Sequence, residues 1–380
     1  MQKHLAIIIN VDWYFNLHWY NRAKAAKEKG YRVSIITSFT APRLKLQWES
    51  EGYDCYDIKI SRSGILIFEE VASIYHLYKI IKKIKPDLVH SVTIKPNIYT
   101  GLISKALKIP CVKSITGLGV VFSNNSYKFR AIKTVIVLLY KYIGRTNQGP
   151  FLFENSEDKL LFQRNGIGRS DQLIQVNGAG VDTNKYQSRK EILTEPQITV
   201  LFAARLLKDK GLDTLISSIN HCRQIGMDIR LIVAGIFDLE SNNAYSQDEV
   251  EYLSQKHDFN WVGTIEDMPS LMNNVDIVAL PTRYGEGIPR VLIEAGAMKR
   301  LVVTTNVAGC RDLIRNACNG WLIEPYDSER LAEILVTTGK NRNEACFIAS
   351  NLYKEVVEQY SDEVIVQQLL GIYESTYQLT

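Results

Sequence analysis

Short apolar runs punctuate this chain, and between them apolar positions recur at intervals of three or four residues. In the first half the runs lie at 4–10, 32–37, 88–92, 111–115, 151–153 and 173–176. The second half repeats the pattern at 198–204, 229–235, 259–262, 277–280 and 301–305. Continuous rather than alternating hydrophobicity marks strands covered on both faces, and the intervening periodicity marks helices. Such βα alternation predicts a doubly wound parallel sheet, here built twice, so the fold class is α/β with two Rossmann-like domains. The polar stretch 182–196 reads as the linker, with a hinge over 183–195. The resulting division is 1–185 and 196–360, followed by a final apolar-patterned segment, 361–380.

Two charged pairs carry the candidate chemistry. Glu286 and Glu294 are separated by seven residues, with Gly287, Ile288 and Pro289 between them and an apolar stretch beyond. Proline suits the first turn of a helix, so Pro289 predicts a helix start, Glu294 inside that helix and Glu286 on the loop before it. The run at 277–280 puts this loop at the carboxyl end of a strand, where open α/β sheets bind ligands and where helix amides attract anions. Two acceptors there suit sugar and ribose hydroxyls. Upstream, Arg205 and Lys210 flank a strand-to-helix turn. A planar guanidinium and a compact ammonium are the two donors that hold phosphate oxygens, so together they predict a diphosphate site.

The second half resembles the donor-binding half of retaining GT-B glycosyltransferases of family 4. The motifs run in order: Arg-Leu-x-x-x-Lys-Gly over 205–211, then 231–235, Trp261-Val262-Gly263, Pro281 to Pro289 with Glu294, 304–309 and 320–325. The first half is similar to bacterial transferases that extend polyprenyl-diphosphate-linked saccharides, through 90–99, 115–119 and 178–182. The resemblance implies a GT-B fold with the two domains facing a cleft and the last helix crossing back to the first domain. It implies a UDP-sugar as co-substrate, contacted by Arg205, Lys210, Val262, Gly263, Glu286, Gly287, Ile288, Pro289 and Glu294. Glu294 would take the ribose and Glu286 the sugar, with retention of anomeric configuration. A hexose or N-acetylhexosamine would pass to a lipid-linked saccharide in surface polysaccharide, O-antigen or capsule, or glycan synthesis.

On the acceptor side, the loop Gly117-Leu118-Gly119 and Lys95 sit at strand ends, as do His90 and Asp12, the candidate proton handlers. The chain departs from many relatives in lacking a histidine after the strand at 111–115 and in carrying Asp12-Trp13-Tyr14 where they have two glycines. Two other readings stay open: a UDP-N-acetylglucosamine 2-epimerase-like isomerase, and a non-catalytic partner in glycan assembly.

Bulk properties narrow the field. With 46% hydrophobic and 23% charged residues, the 380-residue chain is neither disordered nor fibrous and has the length for two cores. Residues 1–185 hold 27 lysines and arginines against 14 acidic residues, a balance of +13, while the remainder holds 18 against 27, or −9. The basic half predicts an anionic surface as partner. No Lys/Arg tract or reading helix accompanies it, which disfavours nucleic acid and favours a membrane face met by the basic amphipathic segments 78–85 and 128–145. The apolar run at the amino terminus is too short for a secretory signal and no run is long enough to span a bilayer, so the expected location is cytoplasmic and peripheral at the inner membrane face. Six cysteines without Cys-x-x-Cys spacing point to reduced thiols and no zinc site. Neither half has Gly-x-Gly-x-x-Gly, which argues against a dinucleotide cofactor, and there is no Asp-x-Asp, so no metal is expected.

Overall fold

The computed structural model describes all residues except 1, 61–66, 120, 121, 123–125, 146–148, 239, 240, 242, 379 and 380. The chain forms two compact units, Met1–Ala179 with Glu363–Thr380, and Gly180–Asp362. Each is organised around one parallel sheet.

The first unit holds β1 (His4–Ile8), β2 (Arg32–Thr37), β3 (Asp54–Asp57), β4 (Leu88–Val92), β5 (Cys111–Ile115), β6 (Phe151–Phe153) and β7 (Leu173–Gln175). Their order across the sheet is β3-β2-β1-β4-β5-β6-β7. Every residue of β1 is buried, as the unbroken apolar run predicts. The side chains still alternate. Leu5, Ile7 and Ile9 join one hydrophobic cluster while Ala6 and Ile8 join another, so the sheet separates two cores. Leu369, Leu370, Ile372 and Tyr373 of the final helix, Asp362–Tyr377, complete the first of these cores.

The second unit holds β8 (Ile198–Ala203), β9 (Ile229–Ala234), β10 (Asn260–Gly263), β11 (Ile277–Leu280), β12 (Leu301–Thr305) and β13 (Trp321–Ile323), in the order β10-β9-β8-β11-β12-β13. All pairings in both sheets are parallel. The order reverses direction between β1 and β4 in one unit and between β8 and β11 in the other. At such a switch point the flanking loops diverge to opposite faces, leaving an opening at the strands' carboxyl ends.

The expected linker is a packed part of the second unit. Tyr186, Ile192 and Leu193 are buried in its core. Asp276 accepts from the amides of Leu193 and Thr199, the latter at 2.8 Å. Arg342 donates to the carbonyls of Leu193 and Pro196, both at 2.8 Å, and the buried Arg300 donates to Ser188 Oγ. A low average hydropathy conceals these three apolar anchors, and the arginines that fasten the segment lie more than a hundred residues downstream. Two edge strands also escape the pattern: β3 reads Asp-Cys-Tyr-Asp, and β13 has three residues.

Candidate active site

The four residues picked out as charged pairs all lie in the second unit, and three of them gather at its switch point. Arg205 follows the end of β8, and Lys210 closes the short 3-10 turn Lys208–Lys210. Gly211 then takes φ 79° and opens the helix Leu212–Gln224. A side chain at Gly211 would collide with the carbonyl oxygen of Pro281, so glycine is what lets the loop after β8 abut the loop after β11. Arg283 N donates to Asp209 O at 2.8 Å across the same seam.

The loop after β11 carries Tyr284 and Glu286 and ends at Pro289, which caps the helix Arg290–Ala297 without any side-chain hydrogen bond to the first turn. Lys210 Nζ donates to Glu286 Oε1, bridging the two sides of the switch point. Lys210 is buried, Glu286 is half-buried, and the ammonium lies 5.2 Å from the centre of the Tyr284 ring. Burial is the largest influence and lowers the Lys210 pKa, but the Glu286 carboxylate and the Tyr284 hydroxyl together outweigh it and the group ends above its ordinary value. It is therefore a fixed cation. Arg205 Nη1 pairs with Asp238 at 2.7 Å, on the loop after β9. Glu294, one turn inside its helix and buried, accepts from Arg290 Nε at 2.8 Å and from Tyr186 Oη at 2.7 Å, both on Oε1.

The other positions named from the sequence lie on the loop after β11 and at the end of β10. Gly287, Ile288 and Pro289 are buried where the loop enters the helix. Gly309, at φ 81°, packs so closely beneath the carbonyls of Glu286 and Gly287 that a side chain would strike both. Val262 and Gly263 end β10 beyond β9, where Gly263 O accepts from Gly235 N at 2.9 Å.

Two of the candidates in the first unit, Asp12 and His90, need correction as proton handlers. Asp12 is fully buried and its carboxylate accepts from the amides of Trp13, Thr40 and Ala41, each at 2.8 Å, and from Thr40 Oγ1 at 2.6 Å. It ties the helix after β1 to the loop after β2, which leaves no free lone pair for proton transfer. His90 is also fully enclosed, with Nδ1 2.6 Å from Tyr373 Oη and Nε2 2.8 Å from Ser114 Oγ. Burial, with Arg22 and Lys113 nearby, holds its pKa well below the ordinary value, so it is a neutral core residue. Lys95 pairs with Glu70 at 2.6 Å. In the loop after β5, Gly117 and Gly119 take φ of 111° and 59°, and Leu118 is buried in the core.

Sequence reasoning did not find Asp238, Tyr186 or Arg290. The last has a visible signal, its i,i+4 spacing to Glu294. The other two come from distant loops and have none. Nor did it find Thr93, at φ 73° just after β4, or Asn10 just past β1, whose buried Oδ1 has no partner among the described residues.

Comparison with known proteins gives this arrangement its class. Residues 184–354 match the family described as glycosyl transferases group 1, and residues 4–145 match glycosyl transferase 4-like. A crystal structure of Anabaena Alr3699/HepE in complex with UDP shares the fold, with a TM-score of 0.78 at 18% identity over 98% of this chain and 100% of that one. Two parallel α/β units of this kind define the GT-B class. The chain belongs to the family 4-type GT-B glycosyltransferases, with a glycosyl transferase 4-like half and a group 1 half.

Among relatives, the N,N'-diacetylbacillosaminyl-diphospho-undecaprenol alpha-1,3-N-acetylgalactosaminyltransferase of Campylobacter jejuni is 24% identical over 92% of this chain and 93% of its own length. The capsular polysaccharide biosynthesis glycosyltransferase CapM of Staphylococcus aureus is 29% identical, over 55% of this chain and 54% of its own length. The chain therefore spans about half the length of that second relative.

Proposed function

We propose that the protein transfers a hexose or N-acetylhexosamine from a UDP-sugar to a polyprenyl-diphosphate-linked saccharide in surface polysaccharide or glycan synthesis. The observation that carries this reading is the meeting of Lys210 and Glu286 across the β8/β11 switch point, with Arg205 at the end of the adjoining strand. When the bond from sugar to diphosphate breaks, negative charge grows on the leaving group. Preorganised cations lower that barrier because they need no reorganisation as the charge appears. Lys210, kept charged by Glu286, and Arg205, steadied by Asp238, fill this role, and the uncapped first turn of the helix Arg290–Ala297 adds amide dipoles. Glu286 takes sugar hydroxyls and Glu294 the ribose. The anomeric configuration is retained through attack on the departing face, with the donor phosphate receiving the acceptor proton.

Metal independence follows from the same logic, since the protein's own cations neutralise the diphosphate and the chain lacks Asp-x-Asp. Peripheral membrane contact is the part of this reading supported by the helices Ile67–Ile84 and Tyr127–Gly144. Phe68, Val71 and Tyr75 are exposed on the first, near Lys79, Lys82 and Lys83, and Val135, Leu138 and Tyr142 on the second. Among the described residues no helix is long and apolar enough to cross a membrane.

The test is a donor screen over UDP-glucose, UDP-galactose and their N-acetyl forms, with a polyprenyl-diphosphate-linked saccharide as acceptor. One of them is expected to yield UDP and an extended lipid-linked product of unchanged anomeric configuration. No transfer from any of the four donors overturns the reading. Absence of salt-sensitive co-sedimentation with anionic vesicles removes the membrane component alone.

A further inference from the structure

Tyr186 lies outside every motif of the sugar-transfer machinery, in the stretch that sequence alone marks as linker. Its ring is buried in the core of the second unit, and its hydroxyl donates to Glu294 Oε1 at 2.7 Å. The same oxygen accepts from Arg290 Nε at 2.8 Å. Donors from two separate elements thus converge on one carboxylate oxygen, while Oε2 takes no hydrogen bond from the described residues. A glutamate on an exposed helix turn samples several rotamers. Glu294 is clamped into one, with one oxygen committed and the other uncommitted.

The clamp is itself rigid. Tyr186 N donates to Asp182 O at 2.9 Å, and Arg189 N, three residues on, donates to Asn273 Oδ1 at 2.9 Å. Burial and the neighbouring carboxylate raise the Tyr186 phenol above its ordinary pKa, so it stays protonated and remains a donor. Core packing does not require that hydroxyl, because phenylalanine fills nearly the same volume. The oxygen serves the carboxylate.

We propose that Tyr186 is a positioning residue for the nucleotide, orienting Glu294 so that its uncommitted oxygen meets the ribose diol of the donor. This rests on the reading of Glu294 as the ribose acceptor. It predicts that the hydroxyl of Tyr186 contributes to recognition of the nucleoside and contributes little to the sugar-transfer step itself.

The test compares wild type, Tyr186→Phe, Glu294→Gln and the double variant, using UDP and 2′-deoxy-UDP as binding probes alongside donor kinetics. Tyr186→Phe is expected to weaken UDP binding and raise the donor KM about tenfold, the effect of losing one hydrogen bond to a charged group. At saturating donor its kcat stays within about twofold. It also narrows the preference for UDP over 2′-deoxy-UDP, which a general loosening of the core would leave unchanged. The double variant binds UDP no more weakly than Glu294→Gln alone, because Tyr186 acts through that carboxylate.

Wild-type UDP affinity in Tyr186→Phe, with Glu294→Gln weakened, overturns the positioning role and leaves the ribose reading standing. So does full additivity in the double variant. Wild-type affinity in Glu294→Gln overturns the ribose reading itself, and the proposal with it.

Discussion

The two units share one architecture and use its switch point differently. In the second unit, the loops after β8 and β11 bring an ammonium and a carboxylate together from opposite sides of the reversal. In the first, the equivalent strands β1 and β4 lead to Asp12, which is saturated by backbone amides, while His90 within β4 is sealed beneath Tyr373. The topology provides an opening in both cases. Charge placed on the loops that border it, rather than the opening itself, is what distinguishes a candidate catalytic centre from a scaffold.

That contrast breaks most readily at the two cations of the second unit. Lys210→Ala and Arg205→Ala are each expected to lower turnover about 100-fold or more, the scale of removing one preorganised donor from developing charge. Donor kinetics on folded protein check this, and a loss below about tenfold would remove the distinction between the units. On the other side, Asp12→Asn should lower unfolding stability by about 2 to 3 kcal/mol, since it replaces a charged acceptor facing three amides. Its kcat, in protein that remains folded, should stay within a few-fold of wild type. The reverse outcome, intact stability with lost turnover, would move Asp12 back into the chemistry.

A smaller effect sharpens the same point through pH. His90 has its pKa held far below 6.5 by burial, with Arg22 and Lys113 adding to the shift. Below that value the unfolded chain takes up a proton that the folded chain refuses. Stability from this group is therefore full above about pH 6.5 and declines as pH falls, with a slope approaching about 1.4 kcal/mol per unit. Denaturant titrations between about pH 7 and pH 5 should show a shallower decline in His90→Gln by that amount. The smallest expected effect is none at all: excess chelator should leave donor turnover unchanged, because the second unit supplies its own positive charge. Loss of activity that added divalent cation restores would contradict this.

Much of this was legible in the residues. Strands β8, β11 and β12 announce themselves as apolar runs because both of their faces are covered, and the turn from Arg205 to Gly211 reads as a cation-bearing loop from its spacing alone. The edge strands β3 and β13 do not, since an edge needs less burial and tolerates aspartate. His90 was misread because a histidine at a strand end looks accessible until the helix bearing Tyr373, 283 residues later, covers it. Asp238 and Tyr186 were invisible for the same reason: their significance lies in partners that only the tertiary fold brings near. The segment 182–196 shows the opposite error, in which polar composition suggested slack where arginines hold the backbone taut.

The close abutment at Gly211 and Gly309 bears on how donor preference can be altered. Both positions sit where one loop's main chain presses against another's, so any mutagenesis library that diversifies them will mostly return misfolded clones. Under the proposed reading, a campaign to retune sugar choice is better begun at Tyr284, half-buried beside Lys210 on the same loop, than at Ile288, which is packed into the core of the unit.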